Sequence, residues 1–346
     1  MQKIYFILYA LLLIAVLGVF RFSSVLYAEL SRATISSALA DVLASQYQKT
    51  MSAKIAILEE EQKNTTLLFT GDVMLSRSVG KKINEMNDVT FPFLLIASTT
   101  RAADMLIGNL EGPISLRGRN QGSIYSFRAN PQTIQGLTFA GFRVMSLANN
   151  HIWDWGRDAL SDSVSLLRES GILTVGAGRN EEEANAPLVV EVKKNRIGLL
   201  SYTNLYPKSL NAEGNTPGIS AFNEERVREA IKNLKQSADI AVVLIHWGDE
   251  YKTKSNNEQQ RLAHAFIDAG ADLVVGTHPH VSEEVEQYHN GWIAYSLGNF
   301  VFDQTFSEET RRGTMFAATV KDAKLVNVVS IPIRINDNFQ PEGVPL

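Results

Sequence analysis

Two histidines lie two residues apart in the segment Gly276-Thr277-His278-Pro279-His280. The apolar run Ala271-Asp272-Leu273-Val274-Val275 precedes them and is typical of a buried strand. Because proline fixes its own φ, a strand that enters this turn can direct both imidazole rings to one point. Neutral imidazole is the commonest protein ligand for zinc and similar ions, so the segment predicts part of a metal site. A pair of surface histidines is the alternative.

Other side chains with metal-binding chemistry follow four more predicted strands. Each has an ordinary structural alternative as a turn residue, a cap or a core histidine. In open α/β sheets ligands bind outside the carboxyl ends of the strands, so we expect these side chains to converge there. Carboxylate, amide and imidazole groups together suit a pair of borderline divalent ions. The candidates are Asp72, Glu111, Asn149, Asn150, His151 and His246.

Apolar runs alternate with helix-like segments in residues 65–346, which predicts one α/β domain with parallel strands joined by crossovers. The last quarter is mostly strand and predicts antiparallel pairing. The predicted strands span residues 66–70, 105–109, 143–147, 188–192, 197–202, 240–246, 271–276, 292–297, 314–320 and 325–335. The predicted helices span residues 93–102, 158–170, 224–236 and 258–269.

Residues 4–20 form an uncharged run between Lys3 and Arg21, near the lower length limit of a membrane-spanning helix. We predict an uncleaved single-pass anchor over residues 1–22. A cleaved signal is the first alternative, although Leu26-Tyr27-Ala28 lacks the small residue that cleavage prefers, and a buried soluble helix is the second. Lys3 favours a cytoplasmic tail, which leaves the main domain extracytoplasmic at the cell membrane.

Residues 23–64 lack Gly and Pro, and their apolar residues recur at roughly helical spacing. This pattern predicts a helical stalk, which either self-associates or is simply solvated.

The composition excludes several classes of function. The chain has 346 residues with 45% hydrophobic and 20% charged residues, as ordinary globular proteins do. Its formal net charge of -4 gives no reason to expect nucleic acid as a partner. The absence of cysteine rules out disulfides, thiolate metal sites and cysteine nucleophiles.

Six short motifs follow one another along the chain: Gly71-Asp72-Val73-Met74, Asn109-Leu110-Glu111, Asn149-Asn150-His151, His246-Trp247-Gly248, His278-Pro279-His280 and Ser296-Leu297-Gly298-Asn299-Phe300. Taken in this order, they resemble the signature of CapA-type poly-γ-glutamate capsule synthesis proteins, which are related to calcineurin-like metallophosphoesterases. The resemblance extends from about Leu67 to Asp303. It implies an αββα sandwich of two mixed sheets flanked by helices.

The resemblance also implies a centre of two divalent ions, with Mn, Zn or Fe as candidates. The implied ligands are Asp72 and His280 for the first ion, Asn150, His246 and His278 for the second, and Glu111 between them. One departure concerns Met74, which stands where the phosphoesterases have histidine. Because a thioether is a poor ligand for hard or borderline ions, the first ion is expected to bind more weakly or not at all.

The resemblance assigns His151 the role of the acid that protonates the leaving group. The acidic residue that usually follows this histidine is replaced by Ile152, so Asp154 is the nearest candidate to orient it. Arg77 and Arg128 are candidate substrate-binding residues, because guanidinium groups pair with phosphate and carboxylate. For Arg77 a solvated helix arginine is an equal alternative.

These features predict a membrane-anchored, metal-dependent hydrolase of phosphoester or amide bonds in capsule or cell-envelope polymer biosynthesis. Its substrate would be an anionic polymer or a phosphoester, and other capsule-synthesis membrane proteins are candidate partners. The alternative is a non-catalytic, metal-binding component of a polymer synthesis or export complex. A further alternative is that the histidines and carboxylates are all structural.

Overall fold

The computed structural model describes residues 37–205 and 208–343. The chain divides into two units, Met1–Gln62 and Lys63–Leu346. Helix α1 spans Ser37–Lys63, so the predicted stalk is helical over this range. The predicted anchor over residues 1–22 lies outside the described residues. Among the residues that are described, no helix has the length and apolar character needed to cross a membrane.

The second unit contains sixteen strands and seven further helices in its described part. The strands are β1 (Thr65–Val73), β2 (Met105–Leu110), β3 (Phe142–Ser146), β4 (Leu173–Val175), β5 (Ala177–Gly178), β6 (Leu188–Val192), β7 (Asn195–Thr203), β8 (Gly218–Ile219), β9 (Ile240–His246), β10 (Leu273–Thr277), β11 (Val285–Tyr288), β12 (Gly291–Ala294), β13 (Asn299–Val301), β14 (Arg312–Lys321), β15 (Lys324–Ile335) and β16 (Pro341–Gly343). The helices are α2 (Arg77–Met86), α3 (Ala97–Thr100), α4 (Ile134–Ala140), α5 (Gly156–Glu169), α6 (Glu181–Asn185), α7 (Glu224–Ser237) and α8 (Asn257–Asp268).

The larger sheet has eight strands in the order β16-β15-β14-β1-β2-β3-β4, with β13 paired to the end of β1. Strands β1 to β4 are parallel, as the alternation of strands and helices predicts. Strands β14, β15 and β16 add an antiparallel half, as the strand-rich last quarter predicts. The sheet is therefore mixed, and β1 lies where its two halves meet.

The smaller sheet has six strands in the order β11-β12-β10-β9-β7-β6. Its four inner strands are parallel, and the edge strands β6 and β11 pair antiparallel to their neighbours. Strands β5 and β8 form a separate two-stranded ribbon. The predicted mixed α/β fold is confirmed.

The two sheets pack face to face through an apolar layer, and the inner strands β1, β2, β9 and β10 are buried on both sides. In β1, Leu67 and Phe69 contribute to this layer together with Val242 of the smaller sheet, whereas Leu68 packs on the opposite side. Helices α2, α4 and α5 cover the outer face of the larger sheet, and α7 and α8 cover that of the smaller one. Strands covered in this way carry nearly continuous apolar sequence, which explains why their positions were predictable.

Some predicted boundaries were wrong, for local reasons. Residues 93–102 do not form one helix, because the 3₁₀ turn Phe91–Phe93 and the short α3 divide that region. The predicted strand 292–297 ends at Ala294. Gly298 then adopts a φ of 66°, which turns the chain into β13 in the other sheet. Helix α2 was missed because it buries little more than Val79 and Ile83 and contains a glycine.

Replacing Gly71 with alanine tests the close approach between β1 and the turn before β13. A Cβ at Gly71 would lie 1.8 Å from the carbonyl oxygen of Gly298. We expect Gly71→Ala to lower the free energy of unfolding by about 3 kcal/mol in urea titrations, because the strand must move away. The control is Gly343→Ala, whose Cβ would meet no atom within 4 Å and should change stability by less than about 0.5 kcal/mol. Equal effects of the two substitutions would contradict this account.

Candidate metal centre

The candidate site lies at one edge of the molecule, where the carboxyl ends of strands from both sheets meet. Asp72 is near the end of β1, His246 ends β9, and His278 directly follows β10. The backbone N–H of His278 lies 3.4 Å from Oδ2 of Asp72, a contact that joins the two sheets. Parallel packing of the strands therefore brings together residues that are far apart in sequence.

Two buried carboxylates form the centre of the site. Single ligand atoms of Asp72, Glu111 and His246 all lie within 4.8 Å of one another, and the three residues are buried. The amide Nδ2 of Asn109 donates to Oδ1 of Asp72 at 2.7 Å and to Oε2 of Glu111 at 2.6 Å. Asn149 in turn donates to Oδ1 of Asn109 at 3.0 Å, which holds that amide in place.

The remaining predicted ligands surround this pair. The Nε2 atom of His246 lies 2.7 Å from Oδ1 of Asn150, 3.2 Å from Nδ1 of His278 and 3.5 Å from Oε1 of Glu111. Nδ1 of His280 lies 3.2 Å from Oδ2 of Asp72. The structure thus brings all the predicted metal ligands into one neighbourhood.

Burial and like charges set the protonation of the cluster. Burial and the adjacent Asp72 raise the pKa of Glu111 well above its usual range. Burial and neighbouring imidazoles lower the pKa of His246 well below its usual range and that of His278 to about 3. The rings of His246 and His278 are therefore neutral near pH 7 and have lone pairs to offer to a cation.

The donor set fits a divalent cation. In the described part of the chain, the groups that pair with the side chains of Asp72 and Glu111 are imidazoles, the Asn109 amide and the backbone N–H of His278, none of which carries a fixed positive charge. Oε1 of Glu111 is buried and accepts no hydrogen bond from the described residues. Buried carboxylates are normally paired or bound to metal, so a cation supplies what this cluster lacks.

Both histidines of the His-Pro-His segment adopt backbone conformations that are rare for residues other than glycine. The φ angles of His278 and His280 are 100° and 61°. Such conformations cost about 1–3 kcal/mol each and persist where the surroundings impose them. Here Tyr251 N–H donates to Pro279 O at 2.8 Å, and Trp247 N–H donates to Thr277 O at 3.1 Å. These contacts hold the turn that directs both rings to the cluster.

His151 faces the cluster from the loop after β3. Its Nδ1 lies 2.8 Å from Oδ2 of Asp154, and its Nε2 lies 4.0 Å from Oε1 of Glu111. The ring also packs against Phe127, with 4.2 Å between ring centres. Asn149 Oδ1 accepts hydrogen bonds from the N–H groups of His151 and Ile152, so Asn149 positions this loop. Asp154 therefore orients His151 with one nitrogen directed toward the carboxylates.

The two candidate arginines occupy different surroundings. The Nε of Arg77 lies 3.3 Å from Oδ2 of Asp303, and its guanidinium carbon lies 5.5 Å from the centre of the Phe127 ring that packs on His151. The guanidinium carbon of Arg128 instead lies 3.4 Å from the centre of the Trp155 ring. Arg77 thus borders the His151 side of the site, whereas the contacts of Arg128 hold the loop between β2 and α4.

Met74 does not direct its sulfur to the carboxylates. The sulfur accepts hydrogen bonds from the backbone N–H and the hydroxyl of Ser76, at 3.2 and 3.1 Å. Sequence reasoning assigned no role to Asn109, Asn299 or Asp303, although all three border the site. Their polar character at or beside strand ends was the available signal, and only the tertiary contacts distinguish them from other polar residues.

Glu111→Gln tests whether the Glu111 carboxylate binds metal and whether it destabilises the metal-free protein. We expect lower divalent-metal content, measured by elemental analysis, because a carboxylate ligand is lost. We also expect the metal-free variant to be more stable than the metal-free wild type by about 1 to 3 kcal/mol in urea, because burial and the adjacent Asp72 disfavour the ionised carboxylate in the folded chain and Gln has no charge to lose. The exposed Glu213→Gln is the control and should change neither quantity. Wild-type metal content in Glu111→Gln would remove Glu111 from the predicted ligands.

Comparison with known proteins identifies the family. A family model described as "Bacterial capsule synthesis protein PGA_cap" matches residues 66–304. "Capsule biosynthesis protein CapA" of Bacillus anthracis is 29% identical over 304 residues, which cover 86% of this chain and 74% of that protein. "PGA biosynthesis protein CapA" of Bacillus subtilis (strain 168) is 36% identical over 239 residues, 68% of this chain and 63% of that protein.

A 5'-nucleotidase precursor from Thermus thermophilus is among the similar solved structures, with a TM-score of 0.49 and 16% identity over 81% of this chain and 56% of that chain. The match to the family model spans most of the described second unit and includes every predicted metal ligand. The chain belongs to the bacterial capsule synthesis protein PGA_cap family.

Proposed function

We propose that the chain is a metal-dependent hydrolase in the biosynthesis of capsular poly-γ-glutamate or a related envelope polymer. The relatives' names support the pathway. The observation that carries the hydrolase assignment is the group of buried Asp72, Glu111 and His246, with the His151–Asp154 pair beside it. Such a group needs a cation, and a positioned imidazole has a clear use in proton transfer.

The implied ligands would hold one or two divalent ions of the Mn, Zn or Fe type, and an ion bound there supplies Lewis acidity toward an electrophilic substrate. Asp154 accepts the Nδ1–H of His151 and stabilises the ring when it is protonated. Nε2 of His151 then faces the reacting group and delivers a proton to the departing oxygen or nitrogen. Burial by the Phe127 ring keeps water from that side of the imidazole.

The proposed substrate is an anionic polymer or a phosphoester. Arg77 is held by Asp303 through Nε, which leaves its two Nη groups available to bind a carboxylate or phosphate at the edge of the site. We further propose an extracytoplasmic site for the main domain, with residues 1–22 as membrane anchor and other capsule-synthesis membrane proteins as partners. The uncharged run at residues 4–20 is the support for the anchor.

The second candidate is a non-catalytic metal-binding component of a polymer synthesis or export complex. The Met74 sulfur, bonded to Ser76 rather than directed to the carboxylates, favours it because one ligand position is then weaker. The two candidate functions predict different results in an assay of substrate cleavage. The Mn²⁺-loaded full-length chain should cleave bis(p-nitrophenyl) phosphate or poly-γ-glutamate, and stoichiometric Mn²⁺ without cleavage of either would favour the non-catalytic role.

His151→Ala tests the role of the acid. We expect the turnover of a substrate with an alkoxide or amine leaving group to fall about 10²-fold or more, because such groups leave poorly without a proton. p-Nitrophenolate needs no proton, so its release should fall less than about tenfold. Metal content should stay at the wild-type value. An equal loss for both kinds of leaving group would contradict the proton-donor role.

Arg77→Ala tests anion recognition. Loss of a charged hydrogen-bond donor should raise KM for an anionic substrate about tenfold, with little change in kcat, if the contact binds ground state and transition state alike. The exposed Arg228→Ala removes the same charge from α7 and is the control. If both variants change KM equally, the effect comes from net charge alone and Arg77 is not a specific contact.

A further inference from the structure

Asn299 is a buried residue beside the cluster to which no role has been assigned above. It begins β13 and pairs in register with Asp72 of β1, so the two side chains are neighbours. Its Oδ1 lies 3.0 Å from Nδ1 of His280, and the same nitrogen lies 3.2 Å from Oδ2 of Asp72. One imidazole nitrogen therefore lies close to two oxygens, one from Asn299 and one from Asp72.

The orientation of the Asn299 amide is set by its other contacts. Its Nδ2 donates to the backbone carbonyl oxygen of Thr310 and to Oε1 of Gln304, both at 3.0 Å. A carbonyl oxygen can only accept, so a flipped amide would place two acceptors against each other. The oxygen of Asn299 must therefore face His280.

The spacing of these atoms matches that of ligands on one ion. Metal–ligand bonds of about 2.1 Å separate adjacent ligands by about 3.0 Å in an octahedron and about 3.4 Å in a tetrahedron. The observed separations of 3.0 and 3.2 Å lie in this range. A hydrogen bond from Nδ1–H of His280 to Asn299 would give the same distance, and the two arrangements predict different effects of substitution.

We propose that Asn299 is an oxygen ligand of the ion position that the resemblance assigns to Asp72 and His280, a position that shares Asp72 with the group of Asp72, Glu111 and His246. The inference rests on the proposed metal dependence and adds one ligand to the proposed metal site. An amide oxygen, a carboxylate and an imidazole suit a borderline divalent ion such as Mn²⁺. Asn299 thus supplies the ligand that the Met74 sulfur, turned toward Ser76, does not.

The test is Mn²⁺ binding to the full-length chain by equilibrium dialysis, with electron paramagnetic resonance of the bound ions. Wild type should bind two Mn²⁺ ions per chain, and their spectrum should show spin coupling. Asn299→Ala should keep one ion at wild-type affinity, bind the other at least about tenfold more weakly and lose the coupled spectrum. The exposed Asn215→Ala is the matched control and should behave as wild type.

Asn299→Asp distinguishes an Asn299 oxygen that binds the ion from one that only accepts a hydrogen bond from His280. It also replaces Asn299→Ala as the test variant if Asn299→Ala does not fold. A carboxylate in direct contact with the ion should change both the affinity of that ion position and the electron paramagnetic resonance spectrum of the Mn²⁺ bound there, whereas an outer acceptor for His280 should change the affinity alone. An unchanged affinity in either variant overturns the proposal. Wild type that binds one ion overturns it while leaving the proposed function standing, and wild type that binds none overturns both.

Discussion

Two carboxylates held together away from water are the constraint on which the site depends. Asp72 and Glu111 are buried, share one Asn109 amide as donor, and face neutral imidazoles. Like charges at this separation repel strongly where water cannot screen them. A cation bound between the two carboxylates would remove this repulsion, and the strand ends hold the proposed ligands around that position.

The packing of the two sheets makes the arrangement rigid. Asp72 comes from the larger sheet and His246 from the smaller one, so the cluster bridges the apolar layer between them. Glycines allow the backbones to approach at this edge: a Cβ at Gly71 would meet Gly298, and a Cβ at Gly276 would lie 1.9 Å from the carbonyl oxygen of Tyr295. Ligands on strand ends with close backbone packing are better fixed than ligands on free loops.

The same edge stores conformational strain. His278 and His280 adopt positive φ angles, and Arg77 does so at the start of α2 with a φ of 50°. All three border the proposed reaction site, and β1 beside them also shifts its pairing register on both sides of Asp72. A stable two-layer core can tolerate such local costs, and unfavourable conformations in functional positions are a general feature of active sites.

The sequence determined the parts of the protein that depend on local pattern. Continuous apolar runs located the doubly covered strands, the strand-rich last quarter indicated antiparallel pairing, and polar residues after β1, β2, β3, β9 and β10 indicated the ligand edge. These signals are local because side-chain periodicity and strand ends are properties of short segments. Helix α2 gave a weak signal because only Val79 and Ile83 of its residues are buried. The division of residues 93–102 was also beyond these local signals, because that segment carries a buried apolar pattern without one continuous helix.

Tertiary structure alone decided which polar residues act together. Asn299 reaches Asp72 only because Gly298 turns the chain from one sheet to the other, and Arg77 is oriented by Asp303, far along the chain. Arg128, equally plausible from its residue type, is instead packed on Trp155. Distances between side chains arise from sheet order and packing over hundreds of residues, and no short pattern in the sequence encodes them.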